Sequence, residues 1–311
     1  MIALVLLAGL AAPVSAGMCP RWGAARQVGA LAAEYLPEAS GLAVSRRWAR
    51  LYHLNDSGGG PWFLLSDMNG APAGRVYVER FFPWDTEELA LGPCGRKTCL
   101  FLGDIGDNAA GRSEVGVALV VEREKFPDRV QPLKVLRLRY PDGGHNAEAM
   151  AVHPNGDLFI VSKETPRRKG TKPAKVYRLA AAKVMSGNDG VRTLEAWGEV
   201  DVPAINRDKD KFSRIVTAMD ISPDGGSFLL LTYGNALEFG VDLSSGPVPA
   251  GLEEGRGCSR IELQRLVQQE TAAYLPDASG FLYGTEFGPN KAPGQKAPEL
   301  FLVPCAAATD R

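Results

Sequence analysis

The chain has 311 residues, a formal net charge of −1 and a pI near 6.4. Its Lys and Arg residues are scattered, so the sequence gives no support to a nucleic-acid function or to attraction by anionic lipid. Apolar residues make up 45% of the chain and charged residues 23%. This composition and length suit a globular protein with a substantial core.

Residues 1–16, MIALVLLAGLAAPVSA, form a compact apolar run that ends in small residues. The run is too short for a comfortable membrane span and is typical of a secretory signal peptide, although no Lys or Arg precedes it. A lipid anchor on Cys19 is disfavoured because Met18 stands where a lipoprotein signal has a small residue. The sequence therefore predicts a periplasmic or secreted protein, monomeric and without a membrane span after cleavage, whose residues 17–311 form one domain.

One pattern recurs along these residues: a short apolar strand, a tight turn and a second apolar strand. In residues 143–164 the turn is Pro-Asn-Gly-Asp, a strong hairpin signal because Asn and Gly tolerate the required backbone angles. The other copies are residues 38–56, 85–104, 216–235 and 268–286. Each gap between copies holds two further strand-like runs. Four strands per repeat, five times, predict an all-β, five-bladed β-propeller, with six blades as the alternative.

The last repeat lacks its fourth strand, because the chain ends shortly after Cys305. Residues 22–33 read as a strand without a repeat of their own, and donating it to the last blade would close the ring. Cys19 would then lie beside Cys305, which predicts a disulfide bond between them. A second bond is predicted between Cys94 and Cys99, which the second hairpin brings together. Cys258 is left unpaired.

Acidic residues recur at the open ends of the hairpins, where Gly- and Pro-rich connections indicate a binding face. Grouped carboxylates raise one another's pKa unless a counter-charge is present, and calcium binds carboxylate and amide oxygens. The predicted calcium ligands are Glu87, Glu148, Asn146, Asp104 and Glu270. The predicted residues of a ligand-binding surface are Glu38, Asp56, Trp84, Asp85, Glu164, Tyr233 and Glu286.

Two other interpretations of these carboxylates stay open. The carboxylates could instead cap strands of neighbouring blades, or be neutralised by Lys or Arg such as Lys163 beside Glu164. Ser40 and Thr217 interrupt the acidic ring at the corresponding positions of two repeats. For Phe81 and Phe82 we expect packing between blades rather than ligand contact.

The segments Glu-Ala-Ser-Gly-Leu from Glu38 and Glu-Ala-Met-Ala-Val from Glu148, with Pro-Asn-Gly-Asp-Leu-Phe from Pro154, resemble exported bacterial propellers of the phytase-like esterase type. More distantly they resemble gluconolactonase-like and strictosidine-synthase-like propellers. The resemblance implies calcium at the axial mouth, held by Glu87 and Glu148 with Asn146 beside them. It covers the repeats and carries no catalytic signature.

Three functions follow as hypotheses. The first is an exported propeller that binds a small-molecule or protein ligand at its acidic mouth without catalysis. The second is a calcium-dependent hydrolase of phosphoesters or lactones. The third is a glycosidase in which paired mouth carboxylates act on a sugar held by Phe82 and Trp84.

Overall fold

The computed structural model describes residues 17–56, 58, 60–166, 170–187, 189–287 and 294–306. The predicted signal peptide lies outside these residues. The described residues form five mainly antiparallel sheets, which are the blades of a propeller. The prediction of five blades is confirmed, and the six-bladed alternative is wrong.

The strands follow the repeats of the sequence. Strands of the N-terminal segment are β1 (Arg21–Trp22) and β2 (Arg26–Ala30). Blade 1 contains β3 (Ala39–Val44), β4 (Leu51–Asn55), β5 (Trp62–Ser66) and β6 (Pro72–Val78). Blade 2 contains β7 (Thr86–Cys94), β8 (Lys97–Asp104), β9 (Val115–Val121) and β11 (Lys134–Arg139). The short β10 (Arg129–Val130) lies between β9 and β11 in the chain and extends blade 1.

Blade 3 contains β12 (Ala147–Val152), β13 (Leu158–Ser162), β14 (Ala174–Leu179) and β16 (Glu195–Val200). The short β15 (Arg192–Thr193) lies between β14 and β16 in the chain and extends blade 2. Blade 4 contains β17 (Val216–Ile221), β18 (Phe228–Thr232), β19 (Ala236–Phe239), β20 (Glu253–Glu254) and β21 (Gly257–Ile261). Blade 5 contains β22 (Gln269–Tyr274), β23 (Gly280–Thr285) and β24 (Glu299–Ala306). Helices are short in the described residues: α1 (Ala181–Met185), α2 (Val202–Ile205) and a 3-10 turn at Lys211–Arg214.

The first strand of each blade lies against the axis. These inner strands neighbour one another in the order β3, β7, β12, β17 and β22, and β22 returns to β3, so the ring is closed. In β12 every residue is buried, which explains why all its residues except Glu148 are apolar. The outer strand β11 instead alternates exposed charged residues with buried leucines, as a strand with one solvated face does. Hydrophobic clusters fill each boundary between adjacent blades.

The N-terminal segment closes the ring, as predicted. Both β1 and β2 pair antiparallel with β24, and Trp22 lies opposite Cys305. The segment predicted as one strand is two strands, separated around Gly23, whose N–H donates to the carbonyl of Pro304. Glu238 of blade 4 also holds it, because its carboxylate accepts from the Cys19 N–H at 3.0 Å and from the Trp22 indole at 2.9 Å.

Both predicted disulfide bonds are present. Cys19 is bonded to Cys305 across 286 residues, and Cys94 is bonded to Cys99 in the hairpin of blade 2. Cys258 is a buried free thiol, as expected. Helices long and apolar enough to cross a membrane are not found in the part of the chain that the structure describes.

Candidate functional site: an acidic axial mouth

Each inner strand begins with the same irregularity. Strand pairing skips one residue between the first and second strands of every blade, so that residue forms a β-bulge. The bulged residues are Ser40, Glu87, Glu148, Thr217 and Glu270. Because a bulge redirects one side chain, the five lead positions of the repeats share one place at the mouth of the axis.

The two non-acidic lead residues join blades. The hydroxyl of Ser40 donates to the carbonyl of Glu87 at 2.5 Å, and the hydroxyl of Thr217 donates to the carbonyl of Gln269 at 2.8 Å. Each bond connects a blade with a neighbouring blade of the ring. Ser40 and Thr217 therefore interrupt the acidic ring for a structural reason.

Three carboxylates converge on one side of the mouth. Oxygen atoms of Asp56, Asp85 and Glu87 lie within 4.8 Å of one another. Gly106 lies directly against two of them, because a Cβ atom at this position would overlap Asp85 Oδ2 and Glu87 Oε1. The loop after β8 thus approaches the cluster closely only because residue 106 has no side chain.

Burial and mutual repulsion raise the pKa values of two carboxyl groups in this cluster. Burial raises the pKa of Glu87 well above its usual value, and the carboxylates of Glu148, Asp56 and Asp85 raise it further. Burial also raises the pKa of Asp85, although Arg112 opposes the shift. Carboxylates brought this close in a buried place are stabilised by protons or by a bound cation.

A second group surrounds Lys163 on the other side of the mouth. The ammonium group of Lys163 donates to Glu148 Oε1 and, at 3.2 Å, to the hydroxyl of Tyr233. That hydroxyl donates in turn to Glu270 Oε1. Burial alone would lower the pKa of Lys163, but Glu148 and Glu270 raise it above its usual value. Lys163 is therefore a fixed positive charge on this side of the mouth.

Two carboxyl groups of this second group have shifted pKa values. Burial, partly offset by Lys163 and reinforced by Glu270, raises the pKa of Glu148 to about 8. Burial, together with the charge of Glu270 and a hydrogen bond to it, raises the pKa of Glu286 to about 10. Glu286 therefore keeps its proton near neutral pH, where an ordinary glutamate is ionised.

Glu88 lies below the mouth and was not anticipated from the sequence. Its carboxylate is fully buried and accepts from the N–H groups of Leu89 at 2.9 Å and of Met219, in blade 4, at 3.3 Å. Burial raises its pKa well above the usual value. The side chain of Glu88 therefore joins blade 2 to blade 4 across the axis, beneath the mouth.

The structure brings some predicted residues together and places others elsewhere. Asp104 binds the guanidinium of Arg112 at 2.7 Å, and Arg112 was not singled out from the sequence. The amide of Asn146 accepts from the Asp107 N–H at 2.7 Å and donates to Asn108. Glu164 accepts from the hydroxyl of Ser162, and its neighbour Lys163 turns to Glu148 instead. The side chains of Lys163 and Glu164 therefore point to different partners although the two residues are adjacent.

Aromatic residues at the mouth differ from the expectation in one case. Phe81 is buried in the core between blades 1 and 2, as expected. Phe82 is 84% exposed, so the prediction that it packs between blades is wrong. Trp84 is 82% exposed, and its backbone N–H donates to Asp104 Oδ1, so its ring projects from the rim beside Asp85. The side chains of Phe82 and Trp84 therefore point outward, whereas those of Phe81 and Asp85 are buried.

Comparison with known proteins assigns this chain to no family. No protein-family model matches the sequence, and no curated protein matches it significantly. Solved β-propeller structures do resemble it. The luciferin-regenerating enzyme is 7% identical, with 90% of this chain and 94% of that chain covered and a TM-score of 0.49. A chain of the nidogen–laminin complex is 13% identical, with 79% and 72% covered and a TM-score of 0.45. The Dos1 propeller is 12% identical, with 79% of this chain and 53% of that chain covered and a TM-score of 0.39, so this chain spans about half its length.

Proposed function

We propose that this chain is an exported ligand-binding β-propeller whose axial mouth holds a calcium ion on Asp56, Asp85 and Glu87. The convergence of three carboxylates against Gly106 carries the proposal. Calcium prefers such hard oxygen donors, and it would offset the repulsion that raises the pKa of Glu87. A bound ion would supply positive charge for an anionic or hydroxyl oxygen of a ligand.

This ligand set differs from the sequence prediction in a specific way. Glu87 is retained, and Asp56 and Asp85 join it from the predicted ligand surface. Glu148 and Glu270 are assigned to the Lys163 group, where they position the ligand and balance charge. An oxidising compartment is supported by the two disulfide bonds, since such bonds persist mainly outside the cytosol.

Calcium binding is tested by titration calorimetry on the mature protein. Wild type is expected to bind one calcium ion, and Glu87→Gln is expected to weaken binding by at least about tenfold, because ligand charge sets calcium affinity. Gly106→Ala should weaken binding similarly without removing any charge, because its methyl group displaces Asp85 and Glu87.

Gly111→Ala is the matched control in the same loop. A Cβ atom at Gly111 meets no atom within 4 Å, and neither glycine has a left-handed backbone. The control should bind calcium as wild type does. A wild-type protein without calcium affinity, or a Gly106→Ala variant with unchanged affinity, would contradict the proposed site.

One observation favours hydrolysis as a second candidate function. Glu148 Oε2 is buried without a hydrogen-bond partner among the described residues, while its other oxygen binds Lys163. A carboxylate with one unengaged oxygen beside a cation site is placed to accept a proton from water. Its pKa of about 8 makes the ionised form a stronger base than an ordinary glutamate, and that form predominates only above about pH 8.

Glu148→Gln tests this second candidate. If the wild type hydrolyses p-nitrophenyl phosphate or a δ-lactone with calcium present, the variant should lose about 100-fold or more in kcat, the usual contribution of a general base. Its calcium affinity should stay within a few-fold, because Glu148 is outside the ligand set. If the wild type hydrolyses neither compound, the hydrolase is rejected and the binding function remains. The glycosidase stays an untested prediction.

A further inference from the structure

A pocket of about 310 Å³ opens on the flank of blade 1. Its walls include Tyr35, Glu38, Asn55, Trp62 and Arg75. The volume is at the lower end of small-molecule sites, which suits a single ring and is far too small for a folded partner. The lining combines aromatic surface with one positive and one negative side chain.

The wall of this pocket is continuous with the axial mouth. The N–H of Asp56 donates to the carbonyl of Glu38 at 2.8 Å, and the N–H of Glu38 donates to Asn55 Oδ1 at 3.0 Å. Glu38 also acts electrostatically on Glu286 inside the mouth. Glu38 and Asn55 therefore line the pocket and hold the segment that presents Asp56 to the cation cluster.

Arg75 is the distinctive group of the pocket. Its guanidinium carbon lies 4.3 Å from the centre of the Trp62 ring, which holds the planar group in one orientation. Arg129, on the same blade, lies 4.7 Å from the ring of Tyr77, and a carboxylate oxygen of Glu79 is 3.9 Å away from it. In the described parts of the chain no carboxylate is within salt-bridge distance of Arg75. Of these two stacked arginines, Arg75 is the one that lines a pocket and makes no salt bridge to a described residue.

We infer that this pocket is a subsite for an anionic sugar, a sugar phosphate or a sugar acid. Arg75 binds the phosphate or carboxylate through its fixed pair of N–H donors. The exposed ring of Tyr35 covers the apolar face of the sugar, Trp62 keeps Arg75 in place, and the carboxylate of Glu38 accepts from a hydroxyl group. The subsite deepens the proposed function, on which it rests, because the same ligand would extend from this pocket towards the calcium site.

Titration calorimetry with three probes tests the subsite: glucose 6-phosphate, glucuronate and glucose, each with calcium present. We expect wild type to bind at least one of the two anionic probes more tightly than glucose, and the stronger of them identifies phosphate or carboxylate as the preferred group. Arg75→Gln should weaken anionic-probe binding by at least about tenfold, because a charge-assisted hydrogen-bond pair is lost. Its calcium affinity should equal that of wild type.

Arg129→Gln is the matched control, since it removes another stacked arginine of blade 1 that lies outside the pocket. It should leave both affinities unchanged. Calcium binding without binding of either anionic probe overturns the subsite and leaves the proposed function standing. Arg75-dependent probe binding that is equally tight in EDTA supports the subsite and counts against the calcium site. Equal binding of glucose and glucose 6-phosphate, or an unchanged Arg75→Gln variant, also overturns the subsite.

Discussion

Replacing Cys19 and Cys305 together by alanine is expected to lower the free energy of unfolding by about 5 kcal/mol. The bond joins residues 286 positions apart, so it restrains nearly the whole unfolded chain. The entropy that a cross-link removes from the unfolded state grows with the logarithm of the loop length. The same bond holds β1 against β24, so its loss also frees the strand that closes the ring.

Cys94→Ala with Cys99→Ala is the control for this first prediction. That bond spans a separation of 5 residues inside one hairpin, so its loss should cost only about 2 kcal/mol. Urea unfolding of both double variants measures the two values under one condition. Equal losses in the two variants would show that the bond between the chain ends does not stabilise the closed ring.

Lys163→Met is expected to produce the second large effect. It removes the buried cation from Glu148, Tyr233 and Glu270 and leaves the carboxylates without their partner. Removing one member of a buried ion pair costs about 3 kcal/mol or more when the remaining group stays charged, so the full loss is expected at about pH 9 and above rather than at neutral pH. Lys175→Met is the matched control, because its partner Asp142 is 40% exposed, and solvent limits such a pair to about 1 kcal/mol.

The stability lost in Lys163→Met should increase with pH. The pKa of Glu148 is raised to about 8 in the folded protein, against an unfolded value of 4.5. The folded state therefore binds the proton more tightly, and the stability from this group falls as pH rises between these values. Without Lys163 the folded pKa rises further, so the variant should lose more stability at about pH 9 than at about pH 5. Chemical unfolding at both pH values checks this, and a larger loss at the acidic value would contradict the assigned ion pair.

The blades and their closure could be predicted from the sequence because their signals are local or countable. The Pro-Asn-Gly-Asp turn at residues 154–157 specifies a hairpin through backbone preferences. The missing fourth strand of the last repeat and the unassigned strand before the first repeat require each other, since an exposed sheet edge is unfavourable. The pairing of Cys19 with Cys305 follows from that closure and is confirmed.

The repeat also predicted which residues stand at the mouth, but it could not predict their partners. Glu87 and Glu148 occupy equivalent bulges, yet Glu87 faces Asp56 and Asp85, whereas Glu148 faces Lys163. These contacts depend on which neighbouring loop reaches the axis, and loop length differs from blade to blade. Only the tertiary structure could decide between the two environments.

The same reason explains the residues that the sequence interpretation missed or misplaced. Arg112 binds Asp104 because the loop after β8 folds back on its own strand, and nothing in the repeat indicates that turn. Glu88 crosses the axis to Met219 of blade 4, a contact between residues 131 positions apart. Phe82 is exposed although it follows a buried phenylalanine. Period and composition determined the scaffold of this protein, because strands and turns form from local preferences. Which charged groups meet at its mouth depends on the distances between residues of different blades. Those distances are set only when the ring closes, so the tertiary structure was needed to find them.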